Sequence, residues 1–323
     1  MKSKDQGKKV VALAGGVGGA KLADGLAQTL NPERLTVIVN TGDDFEHFNL
    51  HISPDLDTVC YTLAGKANPI TGWGLAGESW NMLEGLGILG GPTWFRLGDR
   101  DLATHLERTR RLRQGQTLSQ VTRDFCRAWG VTVRVLPMSD QPVRTIVLSA
   151  EHDALPFQDY FVRLQCRPRV RGFRFEGIET AQPAPGVLSA LHEANCVILC
   201  PSNPWVSLDP ILAVPGIREA LLRRRETDRL PVIAVTPIIR GETIKGPAAK
   251  MYTELGIQPS ALAVARHYCG LISAFVLDSQ DEALQPEIAA LGIDTLVEDT
   301  IMKTPHDRQR LARKILEFTG ILP

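Results

Sequence analysis

The segment Val10–Leu26, VVALAGGVGGAKLADGL, runs a short apolar stretch into four glycines, a lysine and a helical pattern. Leu22, Leu26 and Leu30 then fall on one helical face. Gly15, Gly16, Gly18 and Gly19 have no Cβ, so the backbone there can turn sharply and lie close to a ligand. The helix that follows aims unpaired N–H groups and its positive dipole end at the same place, which suits a phosphate. The same cluster also serves as a plain tight turn. Two familiar phosphate loops fail on detail. A Walker A loop has glycine before its lysine and Ser or Thr after it, whereas Lys21 stands between Ala20 and Leu22. A dinucleotide fingerprint starting at Gly16 would need its third glycine at Lys21. The unit reads as a strand, a nucleotide loop of another kind and a helix, with Gly15, Gly16, Gly18, Gly19 and Lys21 as candidate nucleotide contacts.

Further β-branched runs look like buried strands: 35–40, 132–136, 144–150, 197–200, 232–236, 274–278 and 295–297. Helical patterns follow many of them, which predicts an α/β fold, a Rossmann-like three-layer sandwich with a mainly parallel sheet. The loops ending such strands are rich in Gly, Pro and polar residues: GGVGGAK, NTGDD, PSNP and TPIIRG. Ligands of open α/β sheets bind where such loops converge. Residues 58–130 carry few strand signals and several helical ones, so they read as a mainly helical insertion contributing to an acceptor site, with 1–57 and 131–323 forming the core. Within the insertion, Thr117 and Gly130 bracket a helix whose apolar face is Leu118, Val121, Phe125 and Trp129. Thr304-Pro305-His306-Asp307 opens a last helix.

At 323 residues the chain can build a large core, and length alone suggests about two domains. The formal net charge is zero, so bulk electrostatics offer nothing to a nucleic acid or an anionic membrane. The basic runs 108–113, 167–174 and 223–225 read as solvated faces. The polar opening MKSKDQGKK holds no apolar signal segment, and six cysteines without a CxxC pair fit small buried hydrophobes in a reducing cytoplasm. His47 and His51 have the spacing of a helical metal pair, but their segment carries no helix signal.

Chemistry concentrates after the second strand. NTGDD supplies Asp43 and Asp44, and SPDLDT supplies Asp55 and Asp57. In an extended segment Asp55 and Asp57 point the same way and could grip one cation, Mg²⁺ being bound by one or two carboxylates plus phosphate oxygens. Leu22 offers no hydroxyl to a metal, so these acids are the candidates for it. They serve equally as helix caps. RLGDRDLATH places Arg96, Asp99 and His105 after the aromatic pair Trp94-Phe95, as a polar rim beside an aromatic wall or as a salt-bridged helix face. Ser202 and Asn203 of PSNP can meet a base or phosphate, or satisfy a turn. Lys245 and Lys250 of KGPAAK are another candidate anion contact.

In order, GGVGGAK, NTGDD, SPDLDTVCYTL, LGDRDLATH, PMSD, PSNP and KGPAAK make the chain resemble the 2-phospho-L-lactate transferases of coenzyme F-420 biosynthesis, from about Lys9 to Phe318. The resemblance implies a guanosine-diphosphate-linked three-carbon acid as donor and the deazaflavin Fo as acceptor, with Mg²⁺ as cofactor, GMP as leaving group and a homodimer as assembly. It puts Asp57 and Arg96 at Fo, with Asp44, Asp99 and His105 beside it. Mg²⁺ falls to Asp43, Asp44, Asp55 and Asp57, and catalysis to Asp55 and Asp57. The GGVGG loop is closer to the bacterial form, which favours a phosphoenolpyruvyl over a phospholactyl donor. The alternative is a non-catalytic nucleotide-sugar-binding regulator of the related gluconeogenesis-factor branch, whose acidic motif differs. An oxidoreductase using a bound deazaflavin would need a redox-partner pocket that no motif marks.

Overall fold

Alternate residues of the first strand serve two different cores. Val11 and Leu13 pack into one buried cluster, and Val10, Ala12 and Ala14 into another. A strand buried on both faces must lie inside a sheet covered by helices on each side. The computed structural model, which describes residues 7–323, has this architecture. Met1–Gln6, most of the polar opening, lie outside the described residues.

The sheet has seven strands: β1 (Val10–Ala14), β2 (Leu35–Val39), β3 (Arg134–Pro137), β4 (Cys196–Leu199), β5 (Val232–Val235), β6 (Ala274–Asp278) and β7 (Asp294–Glu298). Their order is β7-β6-β5-β4-β1-β2-β3 and every pair is parallel. From β1 the chain moves outward to β3, then returns to the other side of β1, where Val10 pairs with both Leu35 and Cys196. The reversal between β1 and β4 is the crevice where ligands of such sheets bind. On one face lie α1 (Gly16–Thr29), α2 (Pro54–Leu63) and the C-terminal helix Pro305–Phe318, while Val187–Glu193, Ile217–Asp228 and Ala261–His267 cover the other.

Residues 58–130 hold the rest of α2, then α3 (Asn81–Ile88), α4 (Asp99–Arg113) and α5 (Leu118–Trp129), joined by loops and without a strand of the main sheet. The division at 58 falls inside α2, whose Leu56, Val59 and Cys60 share a core cluster with α1 and with Leu118 and Cys126 of α5. Thr117 opens α5 through a capping box with Gln120, and Gly130 ends it in the left-handed conformation, as the sequence predicts for both ends. Thr304 and Asp307 form a second capping box.

The strand expected at 144–150 forms but lies outside the parallel sheet. Arg144–Ser149 pairs antiparallel with Asp153–Pro156 and Val170–Glu176. A parallel return needs a crossover of a dozen or more residues, and the three-residue turn at 150–152 reverses the chain at once. Among the described residues no helix is long and apolar enough to cross a membrane.

Candidate functional site

The β1–α1 turn packs directly against the segment after β4. Ser202 Oγ accepts from the Gly15 amide at 3.3 Å and donates to the Gly15 carbonyl at 2.8 Å. A Cβ at Gly18 would collide with the Pro201 carbonyl, and one at Gly19 would lie 2.6 Å from Ser202 Oγ. At Gly15 it would lie 2.5 Å from Asp55 Oδ2 and 2.7 Å from Ser207 Cβ. These three glycines are therefore required by the close approach of two loops, a reason the sequence does not disclose. Gly16, at φ +61°, makes the turn itself.

The first free amide of α1 already has an acidic partner. Gly16 N donates to Asp55 Oδ1 at 2.6 Å, the place a phosphate oxygen would take at a bare helix terminus. Asn40, just past β2, donates through Nδ2 to Asp55 Oδ2 at 2.9 Å and to the Val206 carbonyl at 3.1 Å. Its Oδ1 accepts from Gly42 N and shapes the NTGDD turn. That turn brings Asp43 and Asp44 beside Asp55, all three buried. Asp44 Oδ2 accepts from Ser53 Oγ at 2.8 Å and meets His51 Nε2 at 2.9 Å, while its Oδ1 is buried without a partner. Gln158 Nε2 donates to Asp43 at 3.3 Å. Burial, then the neighbouring Asp55 and Asp44 carboxylates, push the Asp43 carboxyl well above its usual range. Asp55 is raised to about 6, chiefly by burial. Crowded buried carboxylates with an orphaned oxygen are a cluster short of positive charge.

Asp55 and Asp57 do not point the same way. Both sit in the first turn of α2, where two residues correspond to a rotation of about 200°. Asp57 instead faces α4, where Arg108 grips both of its oxygens and His105 Nδ1 lies 3.8 Å from Oδ2. Tyr61 Oη donates to Asp101 at 2.6 Å and completes a buried network between the two helices. Although burial opposes its charge, Asp57 holds the Arg108 guanidinium above its ordinary value. Arg108 belongs to a run read as a solvated face; it is 2% exposed. The missed signal is the spacing of Asp101, His105 and Arg108, which shares one helical face.

Four other expected contacts are occupied elsewhere. Lys21 Nζ donates to the Met302 carbonyl at 2.7 Å. Asp99 accepts from Ser79 Oγ and from the Asn81 and Met82 amides, fixing the start of α3. Asn203 Oδ1 accepts from Trp205 N and caps the next turn. Lys250 pairs with Glu254, so the two KGPAAK lysines do not act together.

The aromatic wall exists and is larger than expected. The hairpin of Phe45–His47 and Leu50–Ile52 carries Phe45 and His47 onto Trp94 and Phe95. Phe45 meets Phe95 edge-on at 4.9 Å, and His47 meets Trp94 at 5.2 Å. His47 Nε2 is buried without a partner, and burial pushes its pKa down, so the ring is neutral near pH 7. The hairpin places His47 and His51 on two strands, not on a helix. Arg96, exposed, lies 4.5 Å over the Trp80 ring.

Switch-point loops, a buried acidic turn and an adjoining aromatic wall, gathered at the carboxyl end of the sheet where ligands of such folds bind, mark a Rossmann-like α/β protein. The chain belongs to the 2-phospho-L-lactate transferase CofD family, whose profile matches residues 10–314, and so to a transferase family of coenzyme F-420 biosynthesis. The phosphoenolpyruvate transferase of Streptomyces griseus is 42% identical over 315 residues, covering 96% of this chain and 98% of its own. That of Mycolicibacterium smegmatis is 38% identical over 333 residues, covering 97% and 99%. The crystal structure of protein BH3568 from Bacillus halodurans matches with a TM-score of 0.66 at 16% identity, over 96% of this chain and 100% of that one, a likeness of fold alone.

Proposed function

We propose that this chain transfers a phosphoenolpyruvyl group from a guanosine-diphosphate-linked donor to the terminal hydroxyl of the Fo ribityl chain, releasing GMP. The observation that carries the reading is the cluster of Asp43, Asp44 and Asp55 at the mouth of the glycine turn, buried and short of positive charge. The names of the relatives support the enolpyruvyl over the lactyl donor.

Among the described residues no three acidic, His or Cys side chains enclose a metal by themselves. A cation held by one or two carboxylates together with ligand oxygens, the manner of Mg²⁺, fits that arrangement. Asp43, Asp44 and Asp55 are the residues that would hold it, and its charge would offset that of the diphosphate. In the transfer, the acceptor oxygen bonds to the phosphorus bearing the three-carbon acid, the bond from that phosphorus to the bridging oxygen breaks, and GMP leaves with the electron pair. Asp57, which stands outside the proposed cation set, is the proton acceptor for the hydroxyl. Asp57 orients the hydroxyl through the lone pairs that Arg108 leaves free. Phe45, Trp94 and Phe95 supply the wall for the flat ring, and Arg96 the polar contact at its rim. Orientation and charge compensation carry most of the rate in phosphoryl-type transfer.

We place this activity in a reducing cytoplasm, where its six free cysteines stay unpaired. The homodimer is part of the proposal, and light scattering reads it directly. The deciding experiment is mass spectrometry of the products from Fo with each donor, since the enolpyruvyl and lactyl products differ by one pair of hydrogens. GMP release from neither donor overturns the reading.

A further inference from the structure

Residues 66–76 form a loop closed by the bridge between Ala67 and Leu75 and by the Asn68–Gly74 and Ala76–Lys66 backbone hydrogen bonds. The loop touches the glycine turn. Gly72, at φ +79°, sits so that a Cβ would lie 2.7 Å from Val17 Cγ1, at the second residue of α1, and 3.3 Å from Lys245 Nζ. Lys245 is exposed, comes from a segment far along the chain, and donates to the Thr71 carbonyl at 2.6 Å and the Ile70 carbonyl at 3.4 Å. Among the described residues neither Lys245 nor Lys21 has a carboxylate within ion-pair distance. Burial, then the charges of Arg308 and Lys245, push the Lys21 ammonium below its ordinary value.

We propose that Lys245 is a latch which couples occupation of the nucleotide site to the position of the 66–76 loop, as a positioning residue for the reaction proposed above. Two neutral carbonyls are weak partners for an ammonium group, because a charge-assisted bond to an anionic oxygen is roughly twice as strong. A diphosphate arriving beside Val17 draws Lys245 away from Thr71 and Ile70. The loop, with Ile70 and Trp73 on its exposed side, is then freed from the glycine turn. Donor binding in this way precedes and permits rearrangement of the segment leading to Trp80 and Trp94. The inference rests on the reading that a guanosine diphosphate group binds at the glycine turn.

Hydrogen exchange of residues 66–76 with GDP and Mg²⁺, alongside calorimetry, tests it. In the wild type, GDP should speed exchange of this segment while slowing that of residues 15–22. Lys245→Met should exchange fast at 66–76 without GDP, show no further change on adding it, and bind GDP about tenfold more weakly. Lys245→Arg, which keeps a cation, should restore the GDP response. If GDP binds the wild type but exchange at 66–76 does not rise, or Lys245→Met behaves as the wild type, the latch is wrong and the nucleotide site stands. If GDP does not bind the wild type at all, both the site and the latch fall.

Discussion

The Asp55 carboxylate caps the Gly16 amide at 2.6 Å, so an acid from α2 stands at the first turn of α1, where the glycine loop alone suggests a phosphate. Glycine turn and acidic motif therefore form one unit, joined through Asn40 to the end of β2. A phosphate bound as proposed would approach this carboxylate, which is productive only with a cation between them or with the carboxyl protonated.

The first consequence is a pH dependence of stability. Asp55 goes from 3.8 to about 6 on folding, mainly by burial, so the folded state holds its proton more tightly than the unfolded state. This contribution is full below about pH 4 and is lost as the pH rises through 6. It amounts to on the order of 3 kcal/mol. Asp55→Asn removes the ionisation, so in EDTA the variant should gain stability relative to the wild type between acid and neutral pH. Denaturant melts of both proteins at the two ends of this range check it; a constant difference between them contradicts the assignment.

The same substitution should lower turnover by at least about tenfold with Fo and donor at saturation, since on the proposed reading it removes a charge that would hold the cation. EDTA should abolish wild-type activity and added Mg²⁺ restore it. Undiminished turnover in EDTA would mean that the acidic cluster serves only the fold.

Gly18→Ala places a Cβ against the Pro201 carbonyl, a backbone atom that cannot swing aside. Overpacking of this kind costs about 1–3 kcal/mol. Thermal melting should drop, and GDP affinity should fall with it because the loop after β4 is displaced. A variant as stable as the wild type but deaf to GDP would show instead that Gly18 faces the ligand, not Pro201.

Asp57→Asn takes the counter-charge from a buried guanidinium, a loss of about 3–5 kcal/mol for a buried pair. Arg108→Met combined with it should recover part of that stability without recovering kcat, which separates the packing role of the pair from the positioning role of Asp57. Arg96→Ala, on the exposed face of Trp80, should leave melting unchanged and weaken Fo binding in a fluorescence titration. Equal Fo affinity in both proteins would move the ring away from this wall.

The sheet is legible because strands buried on both faces are near-continuous apolar runs, as Val10–Ala14 and Cys196–Leu199 show. Helix ends at Thr117 and Thr304 are legible because caps are local chemistry. The partners of Arg144–Ser149 are not, since an apolar run does not state which sheet it joins. In the site, NTGDD announces its acids, but two facts lie beyond local pattern. Asp57 and Arg108 are 51 positions apart, and their pairing reverses the ordinary expectation for a charge run. The glycines are called for by Pro201, Ser202 and Ser207, residues brought in by the return of the chain from β3 to β4.

The last helix of the chain closes on the first. Asp24 of α1 pairs with Arg308 across 284 positions, and Gly25 has no Cβ because the Arg308 carbonyl lies there. During synthesis α1 therefore emerges 284 positions before the residue that pairs with it, and contacts of such long range slow folding. A product ending before about residue 300 would keep every motif of the site yet leave Leu22 and Leu26 without Leu311 and Ile315. Pairing of the helix Pro305–Phe318 with α1, rather than any motif, thus sets whether the apolar face of the first helix is covered.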